Sequence, residues 1–220
     1  MRRVVWVLLG VFIFSGCSSN ERGPEIVWDE EQPITPSPLP PKPLPPKPIK
    51  PTAPLSSLPG NVPSGWLPSR SERAWSAIII HHSATDEGNA SIIDKWHREN
   101  NGWNGIGYDF VIGNGTNSSD GQVEPTYRWR GQLTGAHTGG TPGNWANEEA
   151  IGICLIGDFD RTVPTKKQME SLARLVQFLQ QRYHIPKNRV FGHGSTPGGH
   201  VTDCPGRRFP MSSLRANISY

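Results

Sequence analysis

Two uninterrupted apolar runs organise the chain beyond residue 66, Ala77 to Ile80 in "AWSAIIIHH" and Ala150 to Ile156 in "AIGICLIGDF". Short runs without a polar break read as strands covered on both faces. "GYDFVIGNG" predicts a further strand running into a turn, and "NRVFGH" a short one. The period changes in "TKKQMESLARLVQFLQQRYHI", where Met169, Leu172, Leu175, Val176 and Leu179 recur at helical spacing. Thr165 and Gln168 stand three apart in front of that stripe, as a capping box requires. "NASIIDKWHREN" has apolar residues at 92, 93 and 96 and predicts a short helix capped by Asn89 or Ser91, with His97 on its surface. "PGRRFPMSSLRANI" predicts a last helix. Strands and helices mixed in this way predict an α/β domain over residues 66–220, a single mixed sheet flanked by helices. No internal repeat is present.

The pattern upstream of residue 66 is different. "MRR" is basic, and "VVWVLLGVFIF" is apolar but too short to span a bilayer comfortably. "FSGC" then resembles the lipobox of bacterial lipoproteins, although Phe14 stands where leucine is usual. The expectation is a signal peptide over 1–16 with Cys17 as the lipidated residue. An ordinary signal peptide or an uncleaved anchor would equally export the chain. Residues 17–65 are proline-rich, as in "PITPSPLPPKPLPPKPIKPTAP". Proline fixes φ and removes the amide donor, so this segment is expected to be an unfolded polyproline II tether. At about 3.1 Å per residue, residues 33–63 would reach on the order of 90 Å. The expected location is the cell envelope, lipid-anchored on the periplasmic side of a bacterial outer membrane.

Composition narrows the classes. The 220 residues are 35% apolar and 19% charged, enough for one ordinary domain with tails. A formal net charge of +3 is too small to argue for nucleic acid. Three cysteines, at 17, 154 and 204, are odd in number and far apart, so no disulfide framework is indicated. Cys154 lies inside an apolar run and reads as a small hydrophobe. The remaining chemistry is histidine and thiol. His81 and His82 end one strand, His193 ends another, and Cys204 follows eleven residues later beyond a loop rich in glycine and proline. One imidazole from the pair, with His193 and Cys204, makes a donor set suited to zinc. Strand alternation lets only one of the two adjacent histidines into such a site without saying which.

"AIIIHHSAT", "WHRENNGWNGIGYDFVIGNG", "GAHTGG", "AIGICLIGDF", "VFGHGS" and "DCPG" occur in this order. Together they resemble the zinc-dependent N-acetylmuramoyl-L-alanine amidases, the family that includes an amidase-type phage lysozyme and the animal peptidoglycan recognition proteins. The resemblance implies a fold like that of the recognition proteins. It implies hydrolysis of the amide between N-acetylmuramic acid and L-alanine, with Zn2+ held by His81, His193 and Cys204. In a cytoplasmic branch the third ligand is an aspartate, which makes Asp203 the alternative to Cys204. Tyr108 matches a tyrosine near the reacting water, and Thr202 a position occupied by Lys or Thr in members that cleave. His137 matches a histidine lining the substrate groove. Trp103, Trp129 and Trp145 are expected in loops between motifs and read as cover, core or aromatic platforms, Trp103 and Trp145 being the substrate-binding candidates. The implied partner is peptidoglycan, glycan strand and stem peptide, with the membrane reached through Cys17, no nucleic acid, and a monomeric chain. The competing readings are a non-catalytic peptidoglycan-binding module and a cell-wall lipoprotein whose zinc only holds the fold.

Overall fold

The computed structural model describes residues 62–218. Cys17, the signal segment and nearly all of the proline-rich segment lie outside the described residues. Five strands form one sheet in the order β3-β2-β4-β1-β5. They are β1 (Ala77–His82), β2 (Phe110–Ile112), β3 (Val123–Pro125), β4 (Ala150–Leu155) and β5 (Val190–Gly192). β1 runs parallel to β4 and β5, β2 runs parallel to β4, and β3 is antiparallel to β2. The two apolar runs are therefore the paired central strands, and every residue of both is buried.

Side-chain alternation divides the two faces. Ile78, Ile80, Phe110, Ile112, Ile151, Ile153 and Leu155 face α4 (Lys166–Tyr183) and form the main core with Leu172, Leu175, Val176 and Leu179. α4 carries the capping box seen in its sequence: the Thr165 hydroxyl accepts from the Gln168 amide, and the Gln168 side chain accepts from the Thr165 amide. α5 (Met211–Ala216) packs Leu214 onto the same core. Val111 and Cys154 face the other way, against Ile93 of α1 (Ala90–Asn101) and Ile106. Ala77 and Ile79 also face that way, against Ala146 of α3 (Trp145–Glu149).

Two sequence expectations fail here. In α1 the buried positions are Ile93 and His97, whereas Ile92 and Trp96 are 46% and 52% exposed. The i, i+4 pair that meets the sheet combines one isoleucine with the histidine, so His97 is a buried residue and not a surface one. Trp129 lies in a short helix, α2 (Tyr127–Gly131), and not in a loop. It is fully buried beside Trp75, Phe110 and Tyr183, and its indole N–H donates to the Trp66 carbonyl. It is a core residue with no face to offer a ligand. Neither α2 nor α3 was legible in the apolar pattern, because each has only five residues.

Candidate metal centre

β1 ends with its alternation intact, which sends His81 and His82 to opposite faces. His82 goes to the α4 side, where its Nδ1 accepts from the Phe159 amide at 3.1 Å and its ring lies against Phe159. His81 goes to the α1 and α3 side. β5 runs parallel to β1 and ends beside it, so His193 meets His81 with ring centroids 4.7 Å apart. The loop after His193 then folds back. The Gly194 amide donates to the Cys204 carbonyl at 2.7 Å, and a Cβ on Gly194 would sit 2.0 Å from the Thr202 carbonyl oxygen. Only glycine permits that approach, which returns Cys204 to the end of the sheet.

The ligand atoms of His81, His193 and Cys204 all lie within 4.8 Å of one another. Cys204 Sγ is 3.8 Å from His81 Nδ1. Asp203 is exposed and belongs to no such group among the described residues. Burial holds both imidazoles below their usual range, strongly for His81, where His137 and His193 add to the effect. Their lone pairs are therefore free. Burial also pushes the Cys204 thiol up to about 12, against the His82 backbone N–H that donates toward it. His193 Nε2 is buried and has no hydrogen-bond partner. Buried polar atoms are seldom left so, and an orphan nitrogen on a ring that meets a thiol and a second imidazole is the kind of group a cation would satisfy. Two neutral imidazoles and one thiolate fit zinc, with a coordination position left over.

Tyr108 stands beside this centre, its ring centroid 5.1 Å from that of His81. Burial raises its phenol well above the usual value, so it stays protonated and can donate. The Thr202 hydroxyl oxygen accepts from the Cys204 amide at 3.2 Å, which places the threonine at the rim and leaves its proton free to donate. A cavity of about 120 Å³ opens next to Tyr108, lined by Ser83, Thr85, Glu87, Ile92, Trp96 and His97. A larger cavity of about 570 Å³ between α4 and α5 contains none of these residues and lies across the sheet from them.

The other expected residues are spread more widely. Trp103 is 43% exposed and packs on His97, whose ring touches Tyr108 in turn. Trp145 is half-buried, with its indole donating to the Pro197 carbonyl at 3.3 Å and Arg189 over its face. His137 is only 6% exposed, with Nδ1 3.2 Å from Nε2 of His81. Burial pushes its pKa down to about 3. Sequence reasoning missed His97, whose Nδ1 accepts from the Gly107 amide at 3.1 Å and fixes the backbone leading to Tyr108. Its spacing of four from Ile93 was the available signal.

A family model described as N-acetylmuramoyl-L-alanine amidase matches residues 71–207. Peptidoglycan-recognition protein LB of Drosophila melanogaster is 32% identical over 142 residues, which is 60% of this chain and 54% of that protein. The chain thus spans about half of that relative's length. Among solved structures, the N-acetylmuramoyl-L-alanine amidase LysC from Clostridium intestinale URNW superposes with a TM-score of 0.54 at 30% identity, over 66% of this chain and 87% of that one. The endolysin amidase LysCS from the same source gives 0.56 at 28% identity, over 74% and 99%.

Proposed function

The chain belongs to the N-acetylmuramoyl-L-alanine amidase family, and from that premise we propose that it hydrolyses the amide between N-acetylmuramic acid and L-alanine in peptidoglycan. The observation that carries the catalytic reading is the convergence of the ligand atoms of His81, His193 and Cys204 to within 4.8 Å of one another, on a His193 ring that also has a buried nitrogen without a partner. These three residues would hold zinc. When bound, zinc supplies Lewis-acid activation of water and of the scissile carbonyl. The chain's own contribution is positional. Tyr108, partly buried beside His81 and at the edge of the adjoining cavity, would offer its O–H to the reacting centre. Thr202 donates to the oxygen on which charge develops; a donor of this kind is worth about 2–4 kcal/mol at other oxyanion sites. The cavity beside Tyr108, with apolar Ile92 and Trp96 opposite Ser83, Thr85 and Glu87, suits an amide-bearing substrate with apolar and polar edges.

The location is part of the proposal: an exported chain, anchored through Cys17, whose proline-rich segment carries residues 66–220 out to the polymer. The test is release of free stem peptide from purified peptidoglycan, with and without chelator, by wild type and Cys204→Ala. Release that disappears on chelation and in the variant supports the amidase. Products of glycan cleavage would refute it, and tight binding without release would make the domain a recognition module.

A further inference from the structure

His81 needs one bare ring nitrogen to act as a ligand, and an isolated neutral imidazole has no reason to present Nδ1 rather than Nε2. The groups around it remove that freedom. The Ala150 carbonyl oxygen lies 3.3 Å from Nε2 of His137. A carbonyl has no proton to give, so Nε2 of His137 carries one. Among the described residues the ring's hydrogen-bond partners are His81, Thr138 and Ala150 and include no carboxylate, so it is neutral and its Nδ1 is an acceptor. That Nδ1 is 3.2 Å from Nε2 of His81, which must then be the donor. His81 is left with Nδ1 bare, and Nδ1 is the nitrogen that faces Cys204 Sγ at 3.8 Å.

The supports of this chain are themselves fixed. Asn147, in α3, accepts from the amides of His137 and Thr138 and returns a bond to the Thr138 carbonyl. The Thr138 hydroxyl is 3.0 Å from Nδ1 of His137, a second donor to the same lone pair. The His137 ring occupies space left by the missing side chain of Gly152, where a Cβ would lie 2.5 Å from Cδ2. Gly152 belongs to β4 and pairs with Ile79, two residues before His81.

We infer that His137 is a positioning residue for the metal centre: through an Ala150–His137–His81 hydrogen-bond chain it sets His81 as the tautomer that ligates through Nδ1. The inference rests on the reading of His81, His193 and Cys204 as metal ligands. Outer partners of metal-bound histidines are worth about 10- to 100-fold in affinity.

The test compares wild type with His137→Phe, which fills the cradle but offers no acceptor, and His137→Asn, which returns an acceptor near the Nδ1 position. Zn2+ and Co2+ affinities are read by chelator competition. The His81 tautomer is read by long-range 1H–15N correlation in the metal-stripped protein. Wild type should show His81 protonated on Nε2. His137→Phe should lose that preference and bind metal about 10- to 100-fold more weakly, and His137→Asn should recover most of both. A folded His137→Phe with wild-type affinity and tautomer would overturn the inference. So would equal weakening in both variants, since bulk rather than the acceptor would then be the cause. If His137→Phe does not fold, the wild-type spectrum decides, and a proton on Nδ1 of His81 sinks the idea. A wild type that takes up no metal would instead remove the functional reading beneath it, whatever the tautomer.

Discussion

At the scale of single residues, position relative to the sheet matters more than residue type. His81 and His82 are adjacent and chemically identical, yet one meets His193 and Cys204 while the other caps the Phe159 amide. His81→Ala should therefore abolish metal uptake and cleavage. His82→Ala should keep the metal and lose about 1–3 kcal/mol of stability from the orphaned amide; metal content by elemental analysis beside a denaturation curve reads both, and the reverse pattern would refute the assignment. Thr202→Ala should lower kcat roughly 30- to 1,000-fold, the span that about 2–4 kcal/mol for one oxyanion donor corresponds to, while Thr202→Ser stays near wild type. Equal loss in both would remove the hydroxyl from the chemistry. Asp109 offers a test of stability. It is fully buried, one carboxylate oxygen accepts from the Gly152 amide, and the other has no partner. Burial raises its pKa to about 7, with the Gly152 amide, Arg128 and Arg73 pulling the other way. A carboxyl whose pKa rises on folding binds its proton more tightly in the fold. Its contribution is complete below about pH 4 and is lost as pH climbs toward 7, a difference on the order of 4 kcal/mol. The stability of Asp109→Asn relative to wild type should therefore improve between pH 4 and 7 in urea titrations. A pH-independent difference would show that this carboxyl does not titrate in the fold.

At the scale of elements, legibility followed length and periodicity. The six-residue strands β1 and β4 and the eighteen-residue α4 were readable because each repeats its signal over its whole length. The capping box of α4 was readable because its mechanism is local to four residues. α1 was readable as a helix but not in phase: Ile92 and Trp96 are apolar and exposed, while His97 is polar and buried, so composition misplaced the face that packing selects. α2 was missed, and Trp129 stayed open between cover, core and platform, because one turn of helix has no period to detect. The histidines and the cysteine were visible as residue types from the start. Which of them converge depended on β5 lying beside β1 and on the glycine at 194, and neither is encoded near His81. Thr165→Ala tests the element reading. It should cost about 1 kcal/mol, the usual value of an N-cap, and leave kcat unchanged, because α4 packs on the sheet face away from His81. A fall in activity without a fall in stability would mean that the two faces are coupled.

At the scale of the whole molecule, the question is how a domain of this size meets a polymer that cannot diffuse to it. The candidate metal site lies at the carboxyl ends of β1 and β5, and its members among the described residues are His81, His193 and Cys204. Residues 33–54 carry proline at every position to every third position with lysines between, the composition from which an extended spacer over residues 33–63 is expected. If that segment is a spacer, its value is geometric, and it should matter only where the polymer stands away from the anchoring surface. Deleting residues 33–63 should leave turnover of isolated peptidoglycan near the wild-type rate and reduce release of stem peptide from intact cells. Replacing them with an equally long Gly/Ser segment should restore only part of the cellular activity, because a random coil of ~31 residues has an r.m.s. span of roughly 30 Å against on the order of 90 Å for the extended form. Equal loss on isolated polymer and on cells would mean that the segment acts on the catalytic domain itself and not as reach.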